Sequence, residues 1–193
     1  MFRSIITFPK KGRGLLSLTP AMRKIRYAVA MSLDGYIAGP KGEADWIVMD
    51  PEVNFGELWA QFDTLLMGRR TYEAAVARLG EAAFEGMKTV VVSRTMRHSD
   101  HPDITIIPEL TRDGMQKLRD QSGKDIWLCG GGELFRVLLE MRQVETVEVS
   151  VMPVLLSTGV ALLPAPAKQA KLKLSGHKIY RSGIVSLIYE VQN

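Results

Sequence analysis

The chain has 193 residues, of which 46% are hydrophobic and 24% are charged, and its formal net charge is +4. This composition is typical of one globular domain with a sizeable core, and the mild positive charge favours an anionic ligand without demanding one. It excludes nucleic acids and membranes as expected partners, because the sequence lacks basic blocks with interleaved aromatic residues and apolar runs of about 18 residues.

Cysteine and histidine are too sparse for a metal site or a disulfide framework. Cys129 is the one cysteine, and the three histidines, His98, His101 and His177, do not have the spacing of zinc ligands. We therefore expect no metal, and we expect a reducing, cytoplasmic location.

Residues 1–21 differ in composition from the rest of the chain. Basic residues stand among glycine and proline, acidic residues are missing, and the apolar pair Ile5-Ile6 is too short for a signal peptide. We interpret this segment as a non-core extension, such as an early start codon produces, and residues 22–193 as the domain. A transit peptide is the alternative for residues 1–21.

The domain begins with a predicted strand, a loop and a helix. A buried strand over 24–30 leads into a loop over 32–42 that is rich in glycine and carries Asp34. Asp34 either caps this turn or faces a site at the end of the strand. Helical spacing of aromatic and aliphatic residues predicts a first helix over 53–62, with its aromatic residues in the core.

A second strand, over 63–67, ends in the turn Gly68, Arg69, Arg70 and Thr71, and a helix follows over 72–79. The unpaired N–H groups at a helix start carry partial positive charge, and arginine side chains bind phosphate through paired hydrogen bonds. This turn is therefore a candidate phosphate site.

A third strand, over 89–92, ends in Ser93, Arg94 and Thr95. Two hydroxyl groups and a guanidinium at the end of a buried strand suit a phosphate monoester. The alternative for Arg94 is a solvated loop charge. A strand over 104–107 and a helix over 110–121 come next.

Three consecutive glycines, Gly130, Gly131 and Gly132, join a strand over 126–129 to a helix over 133–141. Glycine accepts positive φ, and its missing Cβ lets a ligand approach the backbone. A strand, a glycine turn and a helix in this order suit a phosphate at the helix start. The alternative is a tight turn without a ligand.

Beyond residue 143 the pattern changes from helical to alternating. Strands are predicted over 144–151, 172–180 and 184–191, with a hairpin at 181–183 and a long loop over 153–166. The whole order predicts an α/β domain whose mainly parallel sheet is covered by helices and has an antiparallel C-terminal edge. Ligands bind such sheets beyond the carboxyl ends of the strands, where Asp34 and the three candidate turns lie.

Five sequence blocks carry a family resemblance in the same order along the chain, namely residues 30–38, 46–47, 66–73, 92–95 and 130–134. Together they resemble the dihydrofolate reductase superfamily, and more closely its branch of reductase domains from bifunctional riboflavin-biosynthesis enzymes. The resemblance extends from about residue 23 to the C-terminal hairpin. It implies the dihydrofolate-reductase-like three-layer α/β/α fold.

The resemblance also implies NADPH as the cofactor. Ile37 and Ala38 would lie against the nicotinamide, beneath a mobile loop over 39–46. Ser93 and Arg94 would bind the 2′-phosphate that distinguishes NADPH from NADH. The other implied cofactor residues hold the adenosine half at one helix start and the pyrophosphate at the other; they are Gly68, Arg69, Arg70 and Thr71, then Gly130, Gly131, Gly132, Glu133 and Leu134.

The chain departs from its relatives on the substrate side. Ala28 and Cys129 stand where the riboflavin-pathway branch has lysine and glutamate. Glu52 and Glu57, near the first helix, are not in clear register with the acidic residue that anchors the pterin in dihydrofolate reductases. The substrate class therefore stays open between pterin-, pyrimidine- and sugar-like molecules.

We predict an NADPH-dependent reductase of such a small polar substrate, with Asp34 as the candidate proton relay or substrate ligand. As an acid at neutral pH, Asp34 would need a raised pKa. The alternatives are a regulatory or scaffold protein that keeps the NADPH pocket without efficient catalysis, and a structural domain without a dinucleotide. The resemblance further implies a homodimer, with the C-terminal strands and the loop over 153–166 as its interface.

Overall fold

The computed structural model describes residues 22–192, so the extension predicted over residues 1–21 lies outside the described part of the chain. Short 3-10 turns cover Glu81–Phe84 and His98–Asp100. The helices are α1 (Phe55–Trp59), α2 (Arg69–Leu79), α3 (Arg112–Arg119) and α4 (Gly132–Glu140). The strands are β1 (Ile25–Ser32), β2 (Tyr36–Ala38), β3 (Phe62–Gly68), β4 (Lys88–Val92), β5 (Thr105–Ile107), β6 (Asp125–Gly130), β7 (Thr146–Met152), β8 (Val160–Ala161), β9 (Lys171–Ile179) and β10 (Val185–Gln192).

The strands form one large sheet and one small ribbon. Eight strands pair in the order β5-β4-β3-β6-β1-β7-β10-β9, and β2 pairs separately with β8. Every pair from β5 to β7 is parallel, whereas β10 is antiparallel to both β7 and β9. The predicted mainly parallel sheet with an antiparallel C-terminal edge is confirmed.

Burial on both faces of the sheet produces three layers. On β3, Leu66 lies in a core cluster with residues of α3 and α4, whereas its neighbours Leu65 and Met67 lie in a second cluster with Tyr72 of α2. A strand that is covered on both faces reads as a nearly continuous apolar run, which explains the sequence of 63–67. The three-layer α/β/α fold is confirmed. No helix among residues 22–192 has the length and apolar character needed to cross a bilayer.

The first predicted helix is wrong in extent. Only Phe55–Trp59 is helical, because Phe62 begins β3, pairs with Asp125 of β6 and stacks on Trp127 with ring centroids 5.5 Å apart. Trp59 is 51% exposed, so the expectation that the aromatic residues of this segment lie in the core is also wrong for Trp59. Pairing with a distant strand has overridden the helical spacing.

Two predicted loops contain strands. The loop over 32–42 includes β2, and the loop over 153–166 includes its partner β8. Each strand is too short to show a period of its own, so their pairing depends on a contact between distant parts of the chain.

A largely buried ion pair joins β1 to β7 in the amino-terminal half of the sheet. Arg26 Nε and Nη2 donate to the two carboxylate oxygens of Glu148 at 2.6 and 2.8 Å. The side chains are 14% and 10% exposed, and the Arg26 guanidinium lies 4.6 Å from the ring centroid of Phe62. Both charges are therefore largely removed from water, and each depends on the other.

Candidate functional site

Three of the candidate turns lie at neighbouring strand ends. Gly68, the last residue of β3, pairs with Val92 of β4, and Met67 pairs with Gly130 of β6. The segments 68–71, 93–95 and 130–132 therefore meet along one border of the sheet. We call this border, where β4, β3, β6 and β1 end, the carboxyl edge.

Two helices begin side by side at the carboxyl edge. Gly68 is the N-cap of α2 and Gly131 is the N-cap of α4, and neither helix start receives a side-chain hydrogen bond. Thr71 bridges the two starts, because a Cβ atom on Gly130 would lie 2.9 Å from Thr71 Cγ2. Unpaired N–H groups of two adjacent helix starts give this part of the edge a positive potential that suits an anion.

The helix α2 begins earlier than predicted. Arg69, Arg70 and Thr71 form its first turn, whereas the sequence pattern predicts a helix over 72–79 preceded by a loop. Gly68 already has extended dihedrals, φ −82° and ψ 160°, so the chain passes directly from strand to helix. The two arginines are therefore held on a helix rather than on a flexible turn.

Different structural constraints favour glycine at each of the three glycine positions that lead into α4. Gly131 has φ +81°, a conformation that other residues rarely adopt. A Cβ atom on Gly132 would collide with the Ala161 carbonyl oxygen, and the space in front of Gly130 is filled by Thr71. Packing within the chain therefore accounts for Gly130 and Gly132. Gly68 is different, since apart from its own two chain neighbours no residue among 22–192 has an atom within 4 Å of where its Cβ would stand.

The arginines of the carboxyl edge differ in whether their guanidinium groups already have an ion-pair partner. Arg69 Nη1 donates to both carboxylate oxygens of Glu73 at 2.8 and 2.9 Å, one helical turn away. Arg70 and Arg94 are exposed, and their side chains have no hydrogen-bond or ion-pair partner among residues 22–192. These two guanidinium groups are therefore free to bind an anion.

The Ser93 hydroxyl shapes the turn that carries Arg94. Ser93 is buried, and its Oγ accepts hydrogen bonds from the backbone N–H groups of Thr95 and Met96 at 3.2 and 3.1 Å. Its backbone N–H donates to the Ile107 carbonyl at 2.9 Å. With its oxygen already accepting two bonds, Ser93 has only its hydroxyl proton to offer to a ligand.

Ile37 and Ala38 approach the same edge through the ribbon of β2 and β8. Both are half-buried, and Ala38 pairs with Val160 of β8. The residue after β8 donates its N–H to the Gly35 carbonyl at 2.9 Å, while β8 itself contacts Gly132 through Ala161. The ribbon therefore connects Ile37 and Ala38 to the start of α4. Sequence patterns missed β8, whose only signal was the turn-forming run 157–159.

The segment over 39–46, expected as a mobile loop, is held by hydrogen bonds within itself and by one from α2. The Gly39 N–H donates to the Glu43 carbonyl at 2.9 Å, and Trp46 Nε1 donates to the same carbonyl at 3.0 Å. Arg78 of α2 donates to the Ala44 carbonyl at 3.1 Å. This segment therefore lies between the end of β2 and the last turn of α2.

The Asp34 carboxylate joins the end of β1 to the loop after β7. Its Oδ1 accepts from Ser32 Oγ at 2.6 Å and from the Leu156 N–H at 3.0 Å, and its Oδ2 accepts from the Ser157 N–H at 2.7 Å. The Ser32 hydroxyl and these backbone donors hold the pKa of Asp34 below its ordinary value. The raised pKa that a proton donor requires is absent, and the geometry is that of an anchor.

Glu133 and Leu134 are committed to other contacts. Glu133 pairs with Arg136 one turn along α4 at 3.1 Å, and the Leu134 side chain is buried in the core. Their contribution to an anion site is therefore limited to backbone N–H groups at the helix start.

The substrate-side positions show no ready acid. Burial raises the pKa of the Cys129 thiol to about 12, and its Sγ lies 3.7 Å from the Leu66 carbonyl oxygen. Glu52 and Glu57 are exposed, and Glu52 Oε1 lies 3.4 Å from Arg181 Nε. Asp50, which the sequence patterns did not single out, is buried, and it accepts N–H bonds from Glu52 at 2.7 Å and Ser182 at 3.2 Å.

Comparisons with known proteins agree with this architecture. Residues 23–186 match the family described as RibD C-terminal domain. The chain is 30% identical over 178 residues to the uncharacterized protein YyaP of Bacillus subtilis, covering 86% of this chain and 94% of that protein. The chain therefore belongs to the RibD C-terminal domain family.

Two solved structures show the fold. A putative riboflavin biosynthesis protein from Shewanella superposes with a TM-score of 0.75 at 22% identity, covering 89% of this chain and all of that one. Dihydrofolate reductase from Enterococcus faecalis superposes with a TM-score of 0.64 at 12% identity, covering 88% of this chain and 97% of that one. The domain therefore has a dihydrofolate-reductase-like fold.

Proposed function

We propose that this member of the RibD C-terminal domain family is an NADPH-dependent reductase that transfers hydride to a small polar substrate. The observation that carries the proposal is the convergence of Gly68, Arg94 and Gly131 at adjacent strand ends. Gly68 and Gly131 are also the N-caps of two helices whose starts receive no side-chain hydrogen bond. Segments far apart in sequence thus meet along one extended border whose chemistry suits anions. A dinucleotide, which carries charge at several points along its length, fits such a surface better than a single phosphate does.

The residues present fit the charged parts of NADPH. The backbone N–H groups at the start of α4 would hold the pyrophosphate. The start of α2 would hold the adenosine half, and Gly68 leaves its facing space open for close approach. Arg94, with no partner among residues 22–192, would bind the 2′-phosphate, and Arg70 would add a second cation. When bound, the nicotinamide supplies the hydride.

The chain's own contribution to the chemistry is placement and exclusion of water. Ile37 and Ala38 would pack against the nicotinamide end, and residues 39–46 would cover it. Asp34 would fix this region by tying the turn before β2 to the loop after β7, rather than by giving up a proton. The proton would then come from water.

Cofactor identity is tested by titrating NADPH and NADH while following nucleotide fluorescence. We expect NADPH to bind at least about tenfold more tightly, because charge-assisted hydrogen bonds to the 2′-phosphate contribute on the order of 1.5–3 kcal/mol. Equal affinities would contradict the assignment of Arg94, and no binding of either nucleotide would end the proposal. Oxidation of NADPH with a panel of pterins, quinones and keto-sugars then tests turnover.

A second candidate is a nucleotide-binding regulatory or scaffold protein without efficient catalysis. It is favoured by the state of the nearby acids, since Asp34 has a lowered pKa and Cys129 a pKa raised to about 12. Tight NADPH binding without oxidation by any substrate in the panel would support this candidate over the reductase. Steady turnover would exclude it.

We also propose that the chain forms a homodimer through its C-terminal strands. The edge strand β9 is exposed along almost its whole length, and Leu172 and Leu174 are among its exposed apolar residues. An exposed apolar edge is a natural surface for association with another strand. Sedimentation velocity should therefore show a dimer, and Leu174→Lys should shift it to monomer; a wild-type monomer at all concentrations would contradict the proposal.

A further inference from the structure

A cavity lies beside α4, and no predicted cofactor residue is among the residues that line it. It has a volume of about 300 Å³ and is lined by apolar side chains from α4, β7, β9 and the segment after β8, including Phe135, Leu139, Val147, Leu162, Leu163 and Leu172. We call it the α4 cavity. Its volume is at the lower end of the range for small-molecule sites.

The inner walls of the α4 cavity are fixed by contacts on their far sides. Phe135 is buried and stacks on Tyr27 with ring centroids 3.9 Å apart, and Val147 is buried within β7. Leu162 is held by the hydrogen bond from its N–H to the Gly35 carbonyl at 2.9 Å. The space therefore cannot be filled by these residues moving inward without loss of packing or hydrogen bonding.

A second, more polar compartment of about 260 Å³ adjoins the cavity and shares Leu139, Lys168, Gln169 and Ala170 with it. We call this compartment the mouth of the α4 cavity. The basic residues Lys168, Arg142 and Lys171 line it. The side chains of these three basic residues have no hydrogen-bond or ion-pair partner in the described part of the chain.

Among the described residues one carboxylate lines this mouth, and it shares its arginine partner with Glu133. It belongs to Glu140, and Arg136 donates to Glu140 at 3.3 Å from within α4. The mouth therefore presents three basic side chains and one acidic side chain, an excess of positive charge, next to an apolar interior. A ligand that complements both parts has an anionic head and an apolar tail.

We propose that the α4 cavity binds a small carboxylate with an apolar tail, of the size of a medium acyl chain or a single substituted aromatic ring. The tail lies among Phe135, Leu139 and Leu163, and the carboxylate lies at the mouth near Lys168 and Arg142. The limited volume excludes long acyl chains. This binding site is separate from the NADPH surface, so it stands or falls independently of the proposed reductase activity.

The experiment titrates the full chain with octanoate and follows backbone amide shifts by NMR. Two probes with the same tail serve as controls, 1-octanol without a charge and octylamine with a positive charge. We expect saturable shifts at residues of the cavity with octanoate, binding at least about fivefold weaker with octanol, and none with octylamine. Equal binding of all three probes, or no octanoate binding at all, would overturn the proposal.

Two charge reversals on exposed lysines identify the site. Lys168→Glu should weaken octanoate on the order of tenfold, because an attractive charge at the mouth becomes repulsive. Lys117→Glu, on the exposed face of α3, is the matched control and should leave octanoate binding unchanged. Equal effects of the two variants would show a general charge response and overturn the site. A third variant, Ala170→Trp, should fill the cavity and abolish octanoate shifts, with the thermal midpoint as the check that it folds.

A second copy of the chain is the competing occupant. If octanoate fails to bind, and if sedimentation shows a wild-type dimer that Ala170→Trp converts to monomer, the cavity is part of a subunit interface and the ligand proposal is wrong.

Discussion

Replacing Gly68 by alanine separates a role in cofactor binding from a role in folding. Gly68 caps α2 with φ −82° and ψ 160°, dihedrals that alanine adopts without strain. In the described part of the chain, no residue beyond the two adjacent ones has an atom within 4 Å of the position of the new Cβ. Any large effect of the methyl group must therefore arise from a bound molecule.

The expected cost to folding is small. Alanine is a poorer N-cap than glycine by up to about 1 kcal/mol, but it also removes conformational freedom from the unfolded chain, which recovers about 0.4–1 kcal/mol. The free energy of unfolding should therefore change by less than about 1 kcal/mol, and the thermal midpoint by no more than about 4 °C for a domain of this size.

The expected cost to NADPH binding is much larger. A methyl group inserted where a ligand packs closely against backbone typically costs about 1–3 kcal/mol, which corresponds to a roughly 5- to 150-fold weaker Kd. Nucleotide fluorescence measures the Kd, and circular dichroism measures the thermal midpoint on the same preparation. Gly56→Ala, on the exposed side of α1, is the matched control and should leave NADPH binding unchanged.

An NADPH affinity within about twofold of wild type in the Gly68→Ala variant would refute the close approach of cofactor to this backbone. A loss of affinity that merely follows a collapse of the thermal midpoint would refute the claim that the space in front of Gly68 is empty.

Four further predictions follow from individual contacts. Arg94→Ala should weaken NADPH at least about tenfold and NADH hardly at all, whereas the exposed Arg112→Ala on α3 should change neither; fluorescence titration decides, and equal losses for the two nucleotides would contradict the assignment. Gly131→Ala should lower the free energy of unfolding by about 1–3 kcal/mol in urea, because its φ of +81° strains any other residue; an unchanged midpoint would show that the turn relaxes. Asp34→Asn should lower the thermal midpoint at neutral pH but leave NADPH turnover measurable. Because Ser32 and the Leu156 and Ser157 N–H groups lower the pKa of Asp34, its stabilisation is present above the unfolded pKa of about 3.9 and is lost as the pH falls through the native pKa. Complete loss of turnover in a fully folded variant would restore Asp34 as an acid. Arg26→Met should cost about 3–5 kcal/mol by leaving Glu148 buried without its partner, and adding Glu148→Met should recover most of it; additive losses in the double-mutant cycle would mean that the pair is not coupled.

The sequence by itself determined the layers and the identity of the edge. Apolar runs at 63–67, 89–92 and 126–129 mark strands that are covered on both faces, and the helices between them force parallel connections. Parallel strands end at the same border, so the turns that carry Gly68, Arg94 and Gly131 had to lie along it.

Only the tertiary structure decided which strand ends are neighbours and what already occupies them. The order β4-β3-β6 brings Thr71 against Gly130, and the pairing of β2 with β8 brings residues 160–161 to the start of α4. The donors that lower the pKa of Asp34 come partly from residues 156 and 157, far along the chain. Local periodicity records whether a residue is buried, because burial selects apolar side chains, but it carries no record of the partner against which the residue is buried. The partners of Asp34, Ser93 and Gly132 are set by sheet order and register, which is why their roles emerged only from the folded chain.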